Sequence, residues 1–391
     1  KRAFIVGGHV TKFIGAKHPD FVWKRHPEFG KRENPALEDY IRDATIGALE
    51  STGTPAALVD KLWIGNFCGE LFSSQGHLGA ALVGSHPDFL HKPSMRVEGA
   101  CASGGLAFSC ALDSIRAGSA DVALVCGAEV QTTVSSRVGG DYLARASHYS
   151  RQRGLDDFTF PALFARRIKA CGEQLGYTAS DMGLLSAKAY GNANLNPKAH
   201  MTAVQLSASD AAVASEKNPN FLGNEELHPY LRVSDCSQVS DGGAALIMVS
   251  SEGMSKLGVP ESSCVEVAGV GVATGNLYED CDPTRLETTE AAAAKAFGQS
   301  GVAAADVCIA EVHDCFTVTE LLMLEALGLA GRGGAAHLLR EGELDIGGSL
   351  PCNTGGGLVG FGHPVGATGI KQIVELYRQM KGLSEAYQVP S

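Results

Sequence analysis

The sequence lacks long hydrophobic runs and closely paired cysteines. No apolar stretch approaches the roughly 18 residues that a membrane-spanning helix needs, so we expect no integral membrane protein. Eleven cysteines are present, but none forms a Cys-x-x-Cys pair, and we therefore expect no bound metal and no redox motif. Because their number is odd and their spacing irregular, we expect mostly buried free thiols and a reducing compartment.

Positive charge is also scarce. Lys and Arg total 32 against 43 Asp and Glu, which gives a formal net charge of −11. This balance argues against nucleic acid as the main partner. The sign reverses locally, since seven basic and three acidic residues lie between Arg137 and Lys169. That segment is either a solvated charged face or a rim that recognises phosphate.

Apolar residues and glycine are plentiful. The 391 residues are 45% hydrophobic and include 48 glycines, which is typical of a globular chain of two or three domains, or of one duplicated unit. A continuous apolar run at 121–127 predicts a strand buried on both faces. Further strands are expected at 265–272 and 307–312, and a glycine-rich, hairpin-like stretch at 347–369. Strands that alternate with helical patterns indicate an α/β fold.

Cys101 lies among small residues in the stretch Val-Glu-Gly-Ala-Cys-Ala-Ser-Gly-Gly-Leu at 97–106. Apolar residues at helical spacing follow it and predict a helix that begins near Ala102. Cys101 would then occupy a tight strand-to-helix turn, where the helix dipole favours the nucleophilic thiolate. A lone cysteine in an apolar setting is more often a small buried hydrophobe.

Two distant stretches favour the nucleophile. Residues 312–317 read Val-His-Asp-Cys-Phe-Thr, and residues 362–369 read Gly-His-Pro-Val-Gly-Ala-Thr-Gly. They supply His313, Cys315 and His363, and a cysteine nucleophile needs a base and oxyanion donors from elsewhere in the chain.

Another glycine pattern is a decoy. Residues 355–360 match G-x-G-x-x-G, but they lack a preceding strand and an acidic residue placed for a ribose. We do not expect a nucleotide site there.

In these motifs the chain resembles the thiolases, and more closely the sterol-carrier-protein-type thiolases (3-oxoacyl-CoA thiolase, acetyl-CoA acyltransferase). Ordinary thiolases carry Asn-Glu-Ala-Phe where residues 313–316 read His-Asp-Cys-Phe. They take their second catalytic cysteine from a Cys-x-Gly motif after Gly-His-Pro, whereas no cysteine follows Cys352 here. The resemblance therefore implies that Cys315 fills the acid/base role.

The resemblance implies a thiolase fold, with two pseudo-duplicated halves in a five-layered αβαβα core and an inserted loop domain. The expected divisions are 1–128 for the first part of the N-terminal half, 129–235 for the loop domain, 236–255 for the completion of that half, and 256–391 for the C-terminal half. Coenzyme A would contact the loop domain between Arg137 and Lys169. Relatives continue past Ser391 through a glycine-containing loop and a final strand, so we expect that segment to be missing from this sequence.

The resemblance also implies a role for each site residue. Cys101 would attack the 3-keto carbon and form an acyl-enzyme, and Cys315 would move protons to the leaving enolate and from incoming coenzyme A. His363 would activate Cys101 and donate to an oxyanion. His313 would be a second donor, and Asn353 would orient the loops.

The expected function is thiolytic, ping-pong cleavage of 3-oxoacyl-CoA in fatty-acid or sterol side-chain β-oxidation. Coenzyme A is a substrate, and no tightly bound cofactor is expected. The alternatives are an acetoacetyl-CoA-forming or ketosynthase-like condensing enzyme, and a non-catalytic acyl-CoA or lipid-binding homologue. Family resemblance further suggests a homodimer in a peroxisome-like organelle or mitochondrion, although this sequence carries no targeting signal.

Overall fold

The computed structural model describes residues 1–390, which form two compact units. Unit 1 comprises Lys1–Thr133, Val239–Ala268 and His363–Glu385. Unit 2 comprises Val134–Gln238, Gly269–Gly362 and a short stretch from Ala386. These units divide the chain differently from the expected family halves, whose boundaries stay a prediction.

Six strands and fifteen α-helices are formed within residues 1–390. The strands are β1 Ala3–Val10, β2 Lys61–Gly65, β3 Ser94–Val97, β4 Val122–Glu129, β5 Gly242–Ser250 and β6 Val265–Glu266. The helices are α1 Leu37–Thr52, α2 Gly69–Phe72, α3 Leu78–Val83, α4 Ser103–Arg116, α5 Ser136–Leu143, α6 Tyr149–Gln152, α7 Thr159–Leu175, α8 Ala179–Asn194, α9 Ala208–Ala212, α10 Ser251–Leu257, α11 Glu287–Ser300, α12 Thr317–Ala326, α13 Ala335–Arg340, α14 Gly357–Phe361 and α15 Thr368–Met380.

The strands of unit 1 form one sheet in the order β3-β2-β4-β5-β1-β6. β2 is parallel to β3 and β4, and the other neighbours are antiparallel. Every residue of β4 is buried, which confirms the strand expected from the apolar run at 121–127. This strand ends at Glu129, two residues beyond the apolar run, and that end becomes part of the candidate site.

Helices cover both faces of this sheet. α1 and α3 pack on one face, where alternate strand residues such as Leu62 and Ile64 enter the core. α4 and α15 pack on the other face, where Gly65 meets the backbone of Gly104. Both sequence stretches that follow the site residues, α4 after Cys101 and α15 after His363, therefore lie on the same side of the sheet.

Unit 2 is mainly helical. Its largest apolar cluster joins α7, α8, α12 and α13, and a second cluster packs the aromatic residues of α7 against Phe316. The rings of Phe164 and Phe316 are stacked with centroids 4.2 Å apart. This contact anchors the chain just before α12, where His313 and Cys315 lie.

Two strands expected in the C-terminal half are much shorter than predicted. The stretch at 265–272 is a strand only at Val265–Glu266, and the stretch at 307–312 makes a single parallel bridge from Ala310 to Cys352. No second sheet forms among residues 1–390, because Val265–Glu266 pairs only with β1 and the stretch at 307–312 has only the bridge from Ala310. The hairpin expected at 347–369 is also wrong, since that stretch contains α14 and the start of α15.

All eleven cysteines are free thiols. Six are buried, two are partly exposed and three are exposed, so the expectation of mostly buried thiols holds for about half of them. Within residues 1–390, no helix has the length and apolar character that crossing a membrane requires.

Candidate active site

Cys101 lies on the short helical turn Ala100–Ala102, between β3 and α4. Ala100 has φ +50°, in the left-handed region that residues with a Cβ rarely adopt. Its N–H donates to Glu98 Oε1 at 2.6 Å, and its carbonyl oxygen accepts from Ser103 Oγ at 2.6 Å. These bonds hold the turn, and α4 begins at Ser103, close to the predicted position.

The loop after His363 packs directly on the start of α4 and on β4. A Cβ on Gly104 would come 2.8 Å from the carbonyl oxygen of Gly366, and a Cβ on Gly127 would overlap the same oxygen. Glycine is the residue that permits such a close approach. The small residues around Cys101 therefore make room for the loop that carries His363.

His363 is held through its backbone and its ring. Its N–H donates to Ser240 Oγ at 3.2 Å, and its carbonyl oxygen accepts from Gln131 Nε2 at 2.8 Å. Ring atom Nδ1 lies 2.6 Å from Thr368 Oγ1, and this hydroxyl donates to the carbonyl oxygen of Pro364 at 3.1 Å. Because a hydroxyl has one hydrogen, Thr368 accepts from Nδ1–H, and the lone pair of the neutral imidazole is on Nε2.

The sulfur of Cys101 and a ring nitrogen of His363 lie within 4.8 Å of each other. Burial, and after it the charge of Glu129, raises the pKa of the Cys101 thiol to about 12. The expectation that the helix dipole favours the thiolate stays a prediction, and burial acts in the opposite direction, towards the thiol. The resting group is a thiol that needs a proton acceptor, and His363 is placed to be one.

Glu129 is a residue that the sequence interpretation missed. Its carboxylate is buried and accepts N–H bonds from Phe67 at 2.9 Å, Cys68 at 3.0 Å and Gly366 at 3.1 Å. Burial raises the pKa of Glu129 to about 7 despite these bonds. An acidic residue that ends an otherwise apolar buried strand was the available signal. Its bond to Gly366 ties β4 to the loop after His363.

His313 and Cys315 lie in unit 2, immediately before α12. Burial lowers the pKa of His313 to about 4, so its imidazole is neutral at physiological pH. Cys315 is 5% exposed; its carbonyl oxygen accepts from the N–H of Ser237 at 2.9 Å, and its sulfur lies 3.9 Å from Thr319 Oγ1. A neutral imidazole and a thiol thus follow each other on one short, well-anchored segment.

Asn353 uses its polar atoms to hold that segment. Its Oδ1 accepts from the N–H of Val312 at 2.9 Å, and its own N–H donates to the carbonyl oxygen of Ala310 at 3.0 Å. Its Nδ2 donates to Glu320 Oε2 at 3.1 Å, and its carbonyl oxygen accepts from Asn192 Nδ2 at 3.1 Å. The backbone of Asn353 is left-handed, with φ +55°. Asn353 therefore contacts the chain before His313, whereas its predicted effect on the reaction stays a prediction.

Asp314 occupies the N-terminus of α14. Its Oδ1 accepts from the N–H of Leu358 at 2.7 Å, and its Oδ2 from the N–H of Val359 at 3.3 Å. Gly357 has φ +60°, and a Cβ there would overlap this carboxylate. Two backbone N–H groups of the glycine-rich stretch at 355–360 are thus bonded to a side chain of the protein itself.

Two protein-family models match this chain. The family "Thiolase, N-terminal domain" matches residues 28–183, and "Thiolase C-terminal domain-like" matches residues 269–391. The acetyl-CoA acetyltransferase of Methanothermobacter thermautotrophicus is 31% identical, over 92% of this chain and 90% of that protein. This chain belongs to the thiolase family.

A further relative and a solved structure are also similar to this chain. The human sterol carrier protein 2 is 27% identical to this thiolase over 100% of this chain and 68% of that protein. The solved Ltp2-ChsH2(DUF35) aldolase has a TM-score of 0.76 at 24% identity, and the match covers 99% of this chain and 91% of that one. The thiolase fold is confirmed, and so is the resemblance to thiolases of the sterol-carrier-protein type.

The basic segment of this thiolase is largely occupied by its own contacts. Among residues 1–390, six of its seven basic side chains bind acidic side chains or backbone oxygens: Arg137 with Asp157, Arg145 and Arg153 with Asp141, Arg151 with Tyr278, Arg167 with Pro283, and Lys169 with Glu226. Arg166 is exposed and has no such contact within the described residues. Coenzyme A contact in this segment stays a prediction, and Arg166 is its clearest candidate.

Proposed function

We propose that this thiolase cleaves 3-oxoacyl-CoA with coenzyme A through a Cys101 acyl-enzyme, giving acetyl-CoA and a shortened acyl-CoA, in fatty-acid or sterol side-chain β-oxidation. The observation that carries the proposal is the Cys101–His363 pair, with sulfur and ring nitrogen within 4.8 Å. The orientation of His363 by Thr368 adds a defined proton acceptor. The acetyl-CoA acetyltransferase relative supports acyl transfer as the reaction class.

In the first half-reaction, the Cys101 thiol passes its proton to Nε2 of His363 as sulfur attacks the 3-keto carbon. The tautomer fixed by Thr368 places the accepting lone pair on that nitrogen. The bond between the second and third acyl carbons then breaks. Its electron pair remains on the acetyl-CoA fragment as an enolate, and the acyl group remains on sulfur.

Cys315 then supplies the proton that turns this enolate into acetyl-CoA, which leaves and ends the first half-reaction. In the second half-reaction, the Cys315 thiolate takes the thiol proton of incoming coenzyme A, whose sulfur attacks the acyl-enzyme. Cys101 is released as a thiolate and recovers its proton from Nε2 of His363. His313 donates a hydrogen bond to an oxyanion, which a neutral imidazole can do. A pKa of about 4 for His313 means that this donor does not depend on protonation near neutral pH.

Coenzyme A is a substrate in this scheme, bound in part by the segment between Arg137 and Lys169. We place Arg166 in that contact, because its guanidinium is exposed and has no ion pair among residues 1–390. The family resemblance implies a dimer, and we propose a homodimer here.

A second candidate is the reverse, condensing reaction that forms acetoacetyl-CoA. The observation in its favour is that the archaeal relative at 31% identity is named acetyl-CoA acetyltransferase. Both directions use the same acyl-enzyme, so the preferred acyl chain separates the candidates. A condensing enzyme is expected to favour acetoacetyl-CoA over longer 3-oxoacyl-CoA.

The decisive experiment measures coenzyme A-dependent cleavage of acetoacetyl-CoA and of a longer 3-oxoacyl-CoA by wild type and by Cys315→Ala. We expect turnover in the variant to fall about 10²–10⁴-fold, the usual contribution of general acid–base catalysis. The acyl-enzyme on Cys101 should still form slowly and be visible by mass spectrometry.

Cys171→Ala is the matched control, since Cys171 is another buried thiol of unit 2. It should keep wild-type turnover. Near-normal turnover in Cys315→Ala would show that another group moves the proton. If wild type binds acyl-CoA without turning it over, the non-catalytic alternative replaces the proposal.

A further inference from the structure

A buried ion pair lies beside the His313–Cys315 segment. Lys188 on α8 and Glu320 on α12 approach to 2.7 Å, and their side chains are only 5% and 2% exposed. Neither residue belongs to the sequence motifs or to the proposed chemistry. A pair that is so fully removed from water needs a physical explanation.

Stabilisation of the fold is a poor explanation for it. Two charges taken out of water lose their hydration, and apolar side chains of similar size often serve a core equally well or better. Burial alone would lower the pKa of Lys188, but the charge of Glu320, the hydrogen bond to it and the smaller effects of Cys352 and Asp314 together raise the pKa above its usual value. Lys188 therefore stays charged, and the pair remains an ion pair.

Both members make a second contact, and both contacts go to the same turn. Lys188 Nζ donates to the carbonyl oxygen of Cys352 at 2.8 Å, and Glu320 Oε2 accepts from Asn353 Nδ2 at 3.1 Å. Asn353 has a left-handed backbone, which costs free energy in a residue with a side chain. The pair thus binds two consecutive residues, Cys352 and Asn353, and the second of them has this left-handed backbone.

Asn353 in turn contacts the segment that contains His313 and Cys315. With Nδ2 committed to Glu320, its Oδ1 faces the N–H of Val312 at 2.9 Å. The carbonyl oxygen of Val312 in turn accepts from the N–H of Asp314 at 3.1 Å, which closes a tight turn around His313. An unbroken series of contacts thus runs from the ion pair to the backbone that presents His313 and Cys315.

We propose that Lys188 and Glu320 are positioning residues, whose buried pair orients Asn353 and thereby places His313 and Cys315 for proton transfer. The catalytic part of this inference rests on the proposed function. The structural part, that the pair orders residues 312–315, can be measured without any turnover.

Two double variants separate the hydrogen bond from the charges. Lys188→Met/Glu320→Gln removes both charges but keeps a side-chain oxygen that can accept from Asn353. Lys188→Met/Glu320→Leu removes that acceptor as well. Neither variant leaves a single buried charge, which is the usual reason for such variants to unfold.

We expect kcat for thiolysis to fall about 10²-fold in the Leu variant, with KM little changed, because small misplacements of catalytic groups cost about this much. The Gln variant should lose about 10-fold, since the contact with Cys352 is gone while that with Asn353 remains. Hydrogen exchange of the backbone amides at 312–315 should speed up in the same order.

The control is Arg340→Met/Asp181→Leu, which removes another ion pair that involves α8. The carboxylate of Asp181 accepts from the N–H of Thr178 and does not contact the turn at Cys352 and Asn353. It should lower thermal stability without changing kcat or exchange at 312–315. Unchanged kcat and exchange in a folded Leu variant would overturn the proposal, even if its melting temperature dropped.

Turnover tests the proposed function, and hydrogen exchange at 312–315 tests the proposed role of the ion pair separately. If wild type shows no thiolysis, the proposed function fails, and exchange at 312–315 still decides whether the pair orders that segment. If the Leu variant does not fold, the Gln variant decides instead, and wild-type values of both kcat and exchange in it would overturn the inference.

Discussion

The two regions that contain the proposed catalytic residues are held in place by different means. Around Cys101 and His363, the contacts come mostly from backbone groups, hydroxyls and the amide of Gln131. Around His313 and Cys315, the support ends in a buried ion pair between Lys188 and Glu320. Unit 1 thus contacts His363 itself through neutral groups and uses the single carboxylates of Glu98 and Glu129 on the surrounding backbone, whereas unit 2 uses a buried ion pair.

The difference bears on the thiol of Cys101. A charge close to a nucleophilic thiol changes its pKa, and Glu129 shows this by raising the pKa of Cys101. Neutral hydrogen bonds fix the direction of His363 without that effect. In unit 2 the ion pair acts through Asn353, so its charges orient the segment without contacting the reacting groups.

The largest contrast is expected between the two cysteines. Cys101→Ala removes the nucleophile, so neither turnover nor an acyl-enzyme should be detectable, whereas Cys315→Ala should still form the acyl-enzyme. Mass spectrometry after addition of 3-oxoacyl-CoA distinguishes the two variants. Cys110→Ala, an exposed cysteine on α4, is the control and should behave as wild type. Acylation of Cys101→Ala would break the comparison by showing that the nucleophile lies elsewhere.

A smaller effect is expected at the neutral contact of His363. Thr368→Val keeps the shape of the side chain but removes the oxygen that accepts from Nδ1–H, so the other tautomer becomes accessible and kcat should fall about 10-fold. The rate of Cys101 alkylation by iodoacetamide should fall with it.

Thr368→Ser keeps the hydroxyl and is the matched control. We expect its kcat and alkylation rate to lie close to those of wild type. Wild-type values in the Val variant, with losses in the Ser variant, would mean that Thr368 acts through its methyl group, by packing alone.

The smallest effect is a change in pH dependence at Glu129. Burial raises the pKa of Glu129 to about 7, above the value of about 4.3 for an unperturbed glutamate. Between these pH values the folded protein holds a proton that the unfolded chain has released. The stability contributed by this group is therefore present at low pH and is lost as pH rises through about 7.

Glu129→Gln should remove that dependence. The free energy of unfolding, measured with urea from pH 5 to pH 8, should decline less steeply in the variant than in wild type. Loss of the nearby negative charge should also move the midpoint of Cys101 alkylation to lower pH by about one pH unit. Parallel stability profiles and an unchanged midpoint would show that Glu129 is neutral throughout this range.

Local patterns predicted two elements near the candidate nucleophile. The apolar run at 121–127 became β4, and the helical spacing after Cys101 became α4. Both depend on short-range preferences, which a sequence displays directly. The strands expected at 265–272 and 307–312 were predicted on the same basis, but a strand also needs a neighbour, and they have none beside most of their length.

The sequence by itself determined the family, the candidate nucleophile Cys101 and the other candidate site residues, because these lie in short motifs that keep their order along the chain. Only the tertiary structure decided how they are held: Glu129 bonds a residue 237 positions away, and Lys188 bonds the carbonyl of a residue 164 positions away. The tertiary structure also decided the pKa of Cys101, because burial is a property of the folded chain. Hydrogen-bond partners that lie so far apart in the sequence, and the burial that they share, arise when distant segments pack together. A local sequence pattern does not specify which distant segments meet.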